Sequence, residues 1–203
     1  MAQADALIIV DVQQDFCPGG ALAVPDGDAI VPVINRLARH VPCIIASKDW
    51  HPPGHVSFAS SHKGKSVGTT IDTPHGEQIL WPDHCVQQSP GAGFHADLNT
   101  GPINGIIHKG IARGIDSYSA FKDNCAQGTT GLAGYLRERD IRRIFIVGLA
   151  LDYCVLWTAR DARDCGFEVA VIPAACRALD HDKAMAQLRK ENLATVAPEA
   201  LIS

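Results

Sequence analysis

Three residues at the ends of predicted strands could together carry out nucleophilic acyl transfer. Asp11 and Lys109 each follow an apolar run directly, and Cys154 comes shortly after a third run. Parallel strands share one carboxyl edge, where ligands bind, so these side chains are expected to face one crevice. A thiol at a strand-to-helix turn would gain thiolate character from the helix dipole. Asp11 could accept its proton, and Lys109 could hold both anions.

Each of these residues also has a plainer interpretation. A lone cysteine at such a junction is often a small buried hydrophobic residue. Lys109 could be a solvated strand end, and Asp11 could cap a loop. Their coincidence at three strand ends is what favours catalysis. Backbone amides at the turn would add donors for a tetrahedral oxyanion, each worth about 10²–10³ in rate.

A second group of residues has the composition of a metal site. Asp49 follows an apolar run, and His51 comes two residues later, so extended backbone can direct both side chains to one point. His55 and His84 lie in the same irregular segment. A carboxylate with imidazoles suits Zn²⁺, Fe²⁺ or Mn²⁺, and three ligands would leave a coordination position open. The alternative is a set of ordinary loop histidines, because the chain has nine.

Three aromatic residues lie close in sequence to these polar groups. Phe16 follows the first strand, Trp81 precedes His84, and Tyr118 follows Lys109. Each could wall a flat ring, and each could equally belong to the core. Their role stays open on residue type alone.

The elements that must position these groups form a recognisable pattern. Short apolar, β-branched runs are typical of strands buried between helical layers; they lie at 7–10, 43–46, 106–108, 144–147, 169–172 and 194–196. Helical patterns alternate with most runs, with Asp28 and Asp180 as caps, and are predicted at 28–39, from 129 or 130, at 153–164 and from 180. This alternation predicts a doubly wound, mostly parallel α/β sheet of about six strands with helices on both faces.

One long segment interrupts that alternation. Residues 48–105 are rich in Pro, Gly, His and Ser and have almost no periodicity. A compact domain rarely keeps so long an irregular excursion unless it builds a site. No repeat, low-complexity tract or linker is found, so we predict a single domain over residues 1–203.

Composition narrows the function classes. The 203 residues, 46% hydrophobic and 20% charged, are ordinary for one globular domain, and the net charge of −4 argues against a nucleic-acid partner. No apolar run approaches the roughly 18 residues that cross a bilayer, and residues 1–12 lack the basic start of a signal peptide. Seven cysteines without a CxxC pair favour a reducing compartment. We expect a cytoplasmic protein without a membrane partner; homo-oligomerisation stays open.

The motifs follow one another in the order of a known family. From about residue 7 to 178 the chain resembles the nicotinamidase/pyrazinamidase branch of the isochorismatase-like cysteine hydrolases. The matching segments are DVQQDFC with PGG at 11–20, KDWHP at 48–52, HVSFA at 55–59, WPDHCV at 81–86, KG at 109–110, DSYSAF at 116–121 and GLALDYCV at 148–155. Together these motifs are highly specific, although no single one is.

The resemblance implies a role for each motif. The catalytic triad would comprise Asp11, Lys109 and Cys154. The ligands of one divalent ion, Zn²⁺ in the first place with Fe²⁺ or Mn²⁺ as alternatives, would be Asp49, His51 and His84. The walls of a pyridine pocket would be Phe16, Trp81 and Tyr118.

Three finer expectations come from the same resemblance. A cis peptide bond between Ala150 and Leu151 would aim the amides of Ala150 and Cys154 at the oxyanion. Threonine is common in the family where this chain has Leu151, so the change is expected to alter pocket polarity or a nearby hydrogen bond. His55 matches a histidine that ligates the ion directly or through water in some relatives, and its role stays open.

The activity implied is that of a cytoplasmic amidohydrolase in NAD salvage, with nicotinamide as its small-molecule substrate. It would convert nicotinamide and water to nicotinate and ammonia through a thioester on Cys154, and would also hydrolyse pyrazinamide. One alternative is a related hydrolase with another small amide, carbamoyl or vinyl ether substrate; the vinyl ether reaction does not need the thiol. Another is a non-catalytic binding domain. No glycine-rich phosphate loop follows the first strand, which weighs against a nucleotide ligand.

Overall fold

The centre of the molecule is a parallel sheet of six strands. The computed structural model describes residues 4–202. Its strands, in chain order, are β1 (Asp5–Val10), β2 (Cys43–Asp49), β3 (Thr70–Thr73), β4 (Gly76–Ile79), β5 (Gly105–Lys109), β6 (Arg143–Gly148), β7 (Glu168–Cys176) and β8 (Ala194–Thr195). The sheet order is β5-β2-β1-β6-β7-β8, and every neighbouring pair is parallel. Five of the six predicted apolar runs lie wholly within these strands, and the sixth, at 194–196, extends one residue beyond β8.

Helices cover both faces of the sheet, so the doubly wound α/β prediction is confirmed. They are α1 (Val31–Leu37), α2 (Leu132–Arg137), α3 (Leu156–Asp164), α4 (His181–Lys190) and α5 (Glu199–Ile202). Ile8 and Val10 of β1 face the core beneath α2, α3 and α4. Leu7 and Ile9 face the core beneath α1 and α5. None of the helices within residues 4–202 combines the length and the apolar character that a bilayer span requires.

The first residues of the helices show which of the predicted N-caps are correct. Asp180 caps α4 as predicted, because its side chain accepts a hydrogen bond from Lys183 N at 3.0 Å. The predicted helix at 28–39 divides into a 3₁₀ turn at Gly27–Ile30 and then α1, so Asp28 is not its cap. Pro32 lies in the first turn of α1, where a missing N–H breaks no helical hydrogen bond.

Two strand predictions need correction. β5 is an edge strand whose exposure alternates along its length, so one face is not buried, and Ile106 is 48% exposed. The excursion at 48–105 contains an antiparallel hairpin of β3 and β4, which the sequence did not predict. Each hairpin strand has only four residues, too few for a period to be read.

Candidate active site

The carboxyl ends of β1, β5 and β6 bring Asp11, Lys109 and Cys154 together. Lys109 Nζ lies 2.8 Å from Asp11 Oδ2 and 3.4 Å from Cys154 Sγ, and its side chain is fully buried. Ser47 Oγ donates a hydrogen bond to Asp11 Oδ1 at 2.7 Å. Apart from the contact with Lys109, Asp11 Oδ2 accepts no hydrogen bond within residues 4–202. An oxygen of Asp11 lies within 4.8 Å of the Cys154 sulfur, which places a carboxylate beside the thiol.

Burial and the charges of neighbouring side chains together shift the pKa values of Asp11, Lys109 and Cys154. Burial raises the pKa of the Asp11 carboxyl and of the Cys154 thiol, and the charge of Lys109 opposes it in both cases. Burial acts to lower the pKa of Lys109, but the charges of Asp11 and Asp49 outweigh it and raise that pKa well above its usual value. Burial therefore opposes the thiolate character expected from the strand-to-helix turn, and the thiolate stays a prediction. A protonated thiol beside a carboxylate of raised pKa suits general-base activation.

Cys154 lies in a wide helical turn, Leu151–Val155, between β6 and α3. The cis peptide bond of this segment joins Leu149 and Ala150, one bond earlier than predicted. No proline marks the position, so residue types do not distinguish one bond from the next. The bend itself begins at Gly148, whose φ is 121° and where a Cβ would lie 2.0 Å from Val10 O.

The residues around Cys154 divide between the cleft and the core. Ala150 lines the cleft beside Cys154, and within residues 4–202 its N–H has no hydrogen-bond acceptor, which leaves it free for a ligand oxygen. Leu151 donates its N–H to Arg177 O at 2.7 Å, and its side chain is fully buried in the core beneath α3. Leu151 therefore does not line the cleft, and its effect on pocket polarity or on a nearby hydrogen bond stays a prediction.

Asp49, His51 and His84 direct ligand atoms into one volume. Asp49 Oδ2 lies 3.5 Å from His51 Nε2 and 3.8 Å from His84 Nε2. Each imidazole turns its Nδ1 to a backbone carbonyl, His51 to Gly110 O at 3.1 Å and His84 to Pro82 O at 2.7 Å. Such contacts fix the tautomer and leave the Nε2 lone pair for an ion. A carboxylate and two imidazoles fit one divalent transition-metal ion.

His55 stands behind this group. Its Nδ1 lies 2.8 Å from Ser57 Oγ and its Nε2 lies 3.2 Å from Ile115 O, so both ring nitrogens have protein partners. Burial lowers the pKa of His55 to about 4, which keeps the ring neutral. The ring packs on His51 with centroids 4.2 Å apart. His55 therefore packs on the His51 ring, and it also forms a second group of potential ligands with His51 and Asp116.

A cleft of about 420 Å³ opens beside the thiol, and all three predicted aromatic residues line it. Phe16 packs on the His84 ring with centroids 5.5 Å apart, and Trp81 Nε1 donates to Tyr118 Oη at 3.2 Å. Sequence reasoning missed further lining residues, which are Leu22, Val24, Asp116, Tyr153 and Leu179. Tyr153 could have been found from its place directly before the thiol; Leu179 has no such signal.

Comparisons with known proteins agree with this geometry. The isochorismatase domain model matches residues 5–199. The chain belongs to the isochorismatase family. Within this family it is 48% identical to the nicotinamidase of Acinetobacter baylyi over 197 residues, covering 96% of this chain and 92% of that protein.

Two solved structures of the isochorismatase fold are similar over almost their full length. The nicotinamidase/pyrazinamidase of Acinetobacter baumannii superposes with a TM-score of 0.94 at 44% identity, covering 98% of both chains. The pyrazinamidase of Pyrococcus horikoshii, solved in complex with zinc, superposes with a TM-score of 0.77 at 36% identity, covering 96% of this chain and 99% of that one.

Proposed function

We propose that this protein is a nicotinamidase that hydrolyses nicotinamide to nicotinate and ammonia and also accepts pyrazinamide. The observation that carries the proposal is the contact of one buried ammonium, Lys109, with Asp11, Asp49 and Cys154, of which Asp49 and Cys154 line the aromatic cleft. This contact joins a nucleophile and its base to a ligand set for a metal ion. The 48% identity to a nicotinamidase supports the choice of amide.

In the proposed reaction Asp11 accepts the proton of the Cys154 thiol as the sulfur attacks the carboxamide carbon. The amides of Ala150 and Cys154 donate to the oxyanion that forms. Asp11 then returns the proton to the amide nitrogen, the C–N bond breaks, ammonia leaves and a thioester remains. Water, deprotonated by Asp11, attacks the thioester, and the sulfur leaves and recovers the proton from Asp11. The nicotinic acid released passes its own proton to the ammonia, which gives nicotinate. Lys109 stays protonated and holds the carboxylates throughout.

Asp49, His51 and His84 would hold the divalent ion, for which we propose Zn²⁺, with Fe²⁺ or Mn²⁺ as alternatives. When bound, the ion supplies a Lewis acid to which the ring nitrogen of nicotinamide can coordinate. Phe16 and Trp81, beside that position, would hold the faces of the ring.

We further propose that residues 1–203 form one isochorismatase-like hydrolase domain that acts in pyridine nucleotide biosynthesis in the cytoplasm. All seven cysteines are free, in keeping with a reducing compartment. Nicotinamide itself would be the partner of the site; no nucleic acid is expected at a protein of net charge −4.

Ammonia release from nicotinamide tests the function. We expect turnover by the wild type, none by Cys154→Ala, and unchanged turnover by Cys176→Ala, a matched control at a buried free thiol in β7. Cys154→Ala should still bind nicotinamide in a calorimetric titration, because the thiol serves the reaction rather than ground-state binding. Cys154→Ala turnover within tenfold of wild type would exclude the thioester. Turnover of carbamoyl or vinyl ether compounds without nicotinamide turnover would favour the alternative hydrolase.

The role of the ring nitrogen has its own test. Benzamide has the carboxamide but lacks the nitrogen, so the wild type should hydrolyse it poorly. His84→Ala is the suitable variant, because Asp49 also contacts Lys109. We expect His84→Ala to lower kcat/KM for nicotinamide much more than for benzamide. An equal loss for both amides would contradict the proposed anchoring.

A further inference from the structure

The segment that follows β1 contacts both parts of the chain that supply metal ligands. Besides Asp11, it contains Gln13 and Asp15 at alternate positions. Neither of these two side chains lines the cleft or belongs to the ligand set. Both nevertheless make hydrogen bonds to the backbone of ligand-bearing segments, and these contacts are unused by the proposed reaction.

Gln13 holds the backbone of Asp49 at two points. Its Nε2 donates to Asp49 O at 2.8 Å, and its Oε1 accepts from Asp49 N at 2.8 Å. The second amide hydrogen goes to Ala92 O at 3.0 Å. The side chain is fully buried, so no water replaces a lost partner. One carboxamide thus does for Asp49 what a neighbouring strand would do.

Asp15 holds the segment of His84. Its Oδ2 accepts from Cys85 N at 2.7 Å, and its Oδ1 accepts from Ala21 N at 3.2 Å. Cys85 has a φ of 46°, in the left-handed region that side chains rarely adopt. Its carbonyl in turn accepts from His51 N at 3.0 Å. The peptide held by Asp15 therefore connects the two histidine segments.

The chain leaves space for this carboxylate. A Cβ at Gly91 would lie 2.2 Å from both oxygens of Asp15, so a larger residue there would displace it. Because Gln13 also bonds to Ala92 O, the turn at 90–92 packs against both side chains. Gln13 and Asp15 therefore occupy a site built for them.

We propose that Gln13 and Asp15 are positioning residues of the metal site, which fix the separation of Asp49 and His51 from His84. The inference rests on the proposed function, because it takes these three side chains as the ligands. Outer partners that orient ligands typically change metal affinity by about 10- to 100-fold when they are replaced. The affinity for the ion, rather than stability alone, should therefore depend on both residues.

The test is a titration of metal-free protein with Zn²⁺ against a chromophoric chelator. Gln13→Glu replaces the Nε2 donor with an oxygen, which would face the carbonyls of Asp49 and Ala92. Asp15→Asn leaves one oxygen acceptor for two N–H groups, those of Cys85 and Ala21. We expect each to weaken zinc binding about 10- to 100-fold. The control is Asn35→Asp, which breaks a similar two-point contact, to Asp97 O at 2.8 Å and Asn99 N at 2.9 Å, outside the site. Its zinc affinity should stay within twofold of wild type.

Folded variants with wild-type zinc affinity and a lower Tm would overturn the proposal, because they would show a structural role alone. If Gln13→Glu does not fold, Asp15→Asn, at a half-exposed position, decides the question. A wild-type protein that takes up none of Zn²⁺, Fe²⁺ and Mn²⁺ would overturn the metal site and this proposal together. A wild-type protein that binds zinc but does not hydrolyse nicotinamide would overturn only the proposed function.

Discussion

At the scale of single residues, the most consequential feature is one ammonium shared by two carboxylates away from water. Lys109 contacts Asp11 and Asp49 and also donates to Ser117 O at 3.0 Å. A buried charge is stable only while its partners remain, and removing one partner leaves the others uncompensated. The same contacts hold Lys109 against the sulfur of Cys154. Catalysis and stability are therefore coupled at this position.

This coupling gives a prediction for a double-mutant cycle. Asp11→Asn and Lys109→Met should each lower kcat/KM for nicotinamide by about 10²–10⁴-fold, because positioned proton transfer is lost. The double variant should lose little more, because groups that act as one unit are not additive. It should also unfold at higher denaturant concentration than Lys109→Met alone, because one uncompensated carboxylate is gone.

Steady-state kinetics and urea unfolding of the four proteins measure this cycle. Additive losses in kcat/KM would mean that the two residues act independently and that the triad is wrong. Identical stability of Lys109→Met and the double variant would show that the Asp11 charge is not held by Lys109.

What the sequence revealed at this scale depends on the kind of partner each residue has. Asp11, Lys109 and Cys154 could be placed together because the ends of parallel strands converge by rule. Gln13 and Asp15 could not, because their partners are backbone groups 36 and 70 positions away. Almost every residue has the same backbone N–H and C=O groups. A single sequence therefore does not show which of these groups a side chain will bind.

At the scale of elements, several side-chain contacts tie the excursion at 48–105 to the segment after β5, and two of them involve the hairpin and an aromatic wall of the cleft. Gln78 of β4 donates to Asp116 Oδ2 at 2.9 Å, and Trp81 donates to Tyr118 Oη at 3.2 Å. These contacts hold one aromatic wall against another. The excursion was predicted to build a site, but its hairpin was not, because the turn and short strands have no alternating pattern.

Substitutions at Trp81 distinguish the contribution of its aromatic ring from that of its hydrogen bond to Tyr118. Trp81→Phe keeps an aromatic ring but removes the donor to Tyr118, and one hydrogen bond is worth about 1 kcal/mol. We expect KM for nicotinamide to rise about fivefold with kcat little changed, and a larger rise for Trp81→Ala. Trp157→Phe is the control, because Trp157 packs on Tyr118 but does not line the cleft. Equal KM values for wild type and Trp81→Phe would contradict a role for the contact.

At the scale of the whole molecule, the proposed metal ligands join parts of the chain that the sheet alone does not join. Asp49 ends β2, whereas His84 lies in irregular chain beyond the hairpin. Residues 4–202 fold around two cores, one on each face of the sheet, and the ligand set lies at the carboxyl edge. This architecture was predictable from strand and helix alternation, since buried parallel strands have a distinctive composition.

Removal of the metal should therefore lower global stability. A ligand at about 100 times its dissociation constant stabilises by about 2.7 kcal/mol. For a domain of this size that corresponds to a Tm about 5–10 °C higher. Thermal unfolding with and without a chelator measures the difference, and His84→Ala should show none. An unchanged wild-type Tm on chelation would contradict a bound ion.

The length of the segment from Asp11 to Phe16 is fixed by the contacts that its side chains make. Its six residues include the proposed base Asp11 and Phe16, which lines the cleft. They also include Gln13 and Asp15, whose side chains hydrogen-bond to the backbone of Asp49 and Cys85. A single inserted residue would displace all of these groups at once, whereas the exposed residues 63–68 touch none of them. Gene libraries that vary length should therefore recover insertions at 63–68 and none between Asp11 and Asp15. We therefore expect this segment to accept substitutions but no insertions.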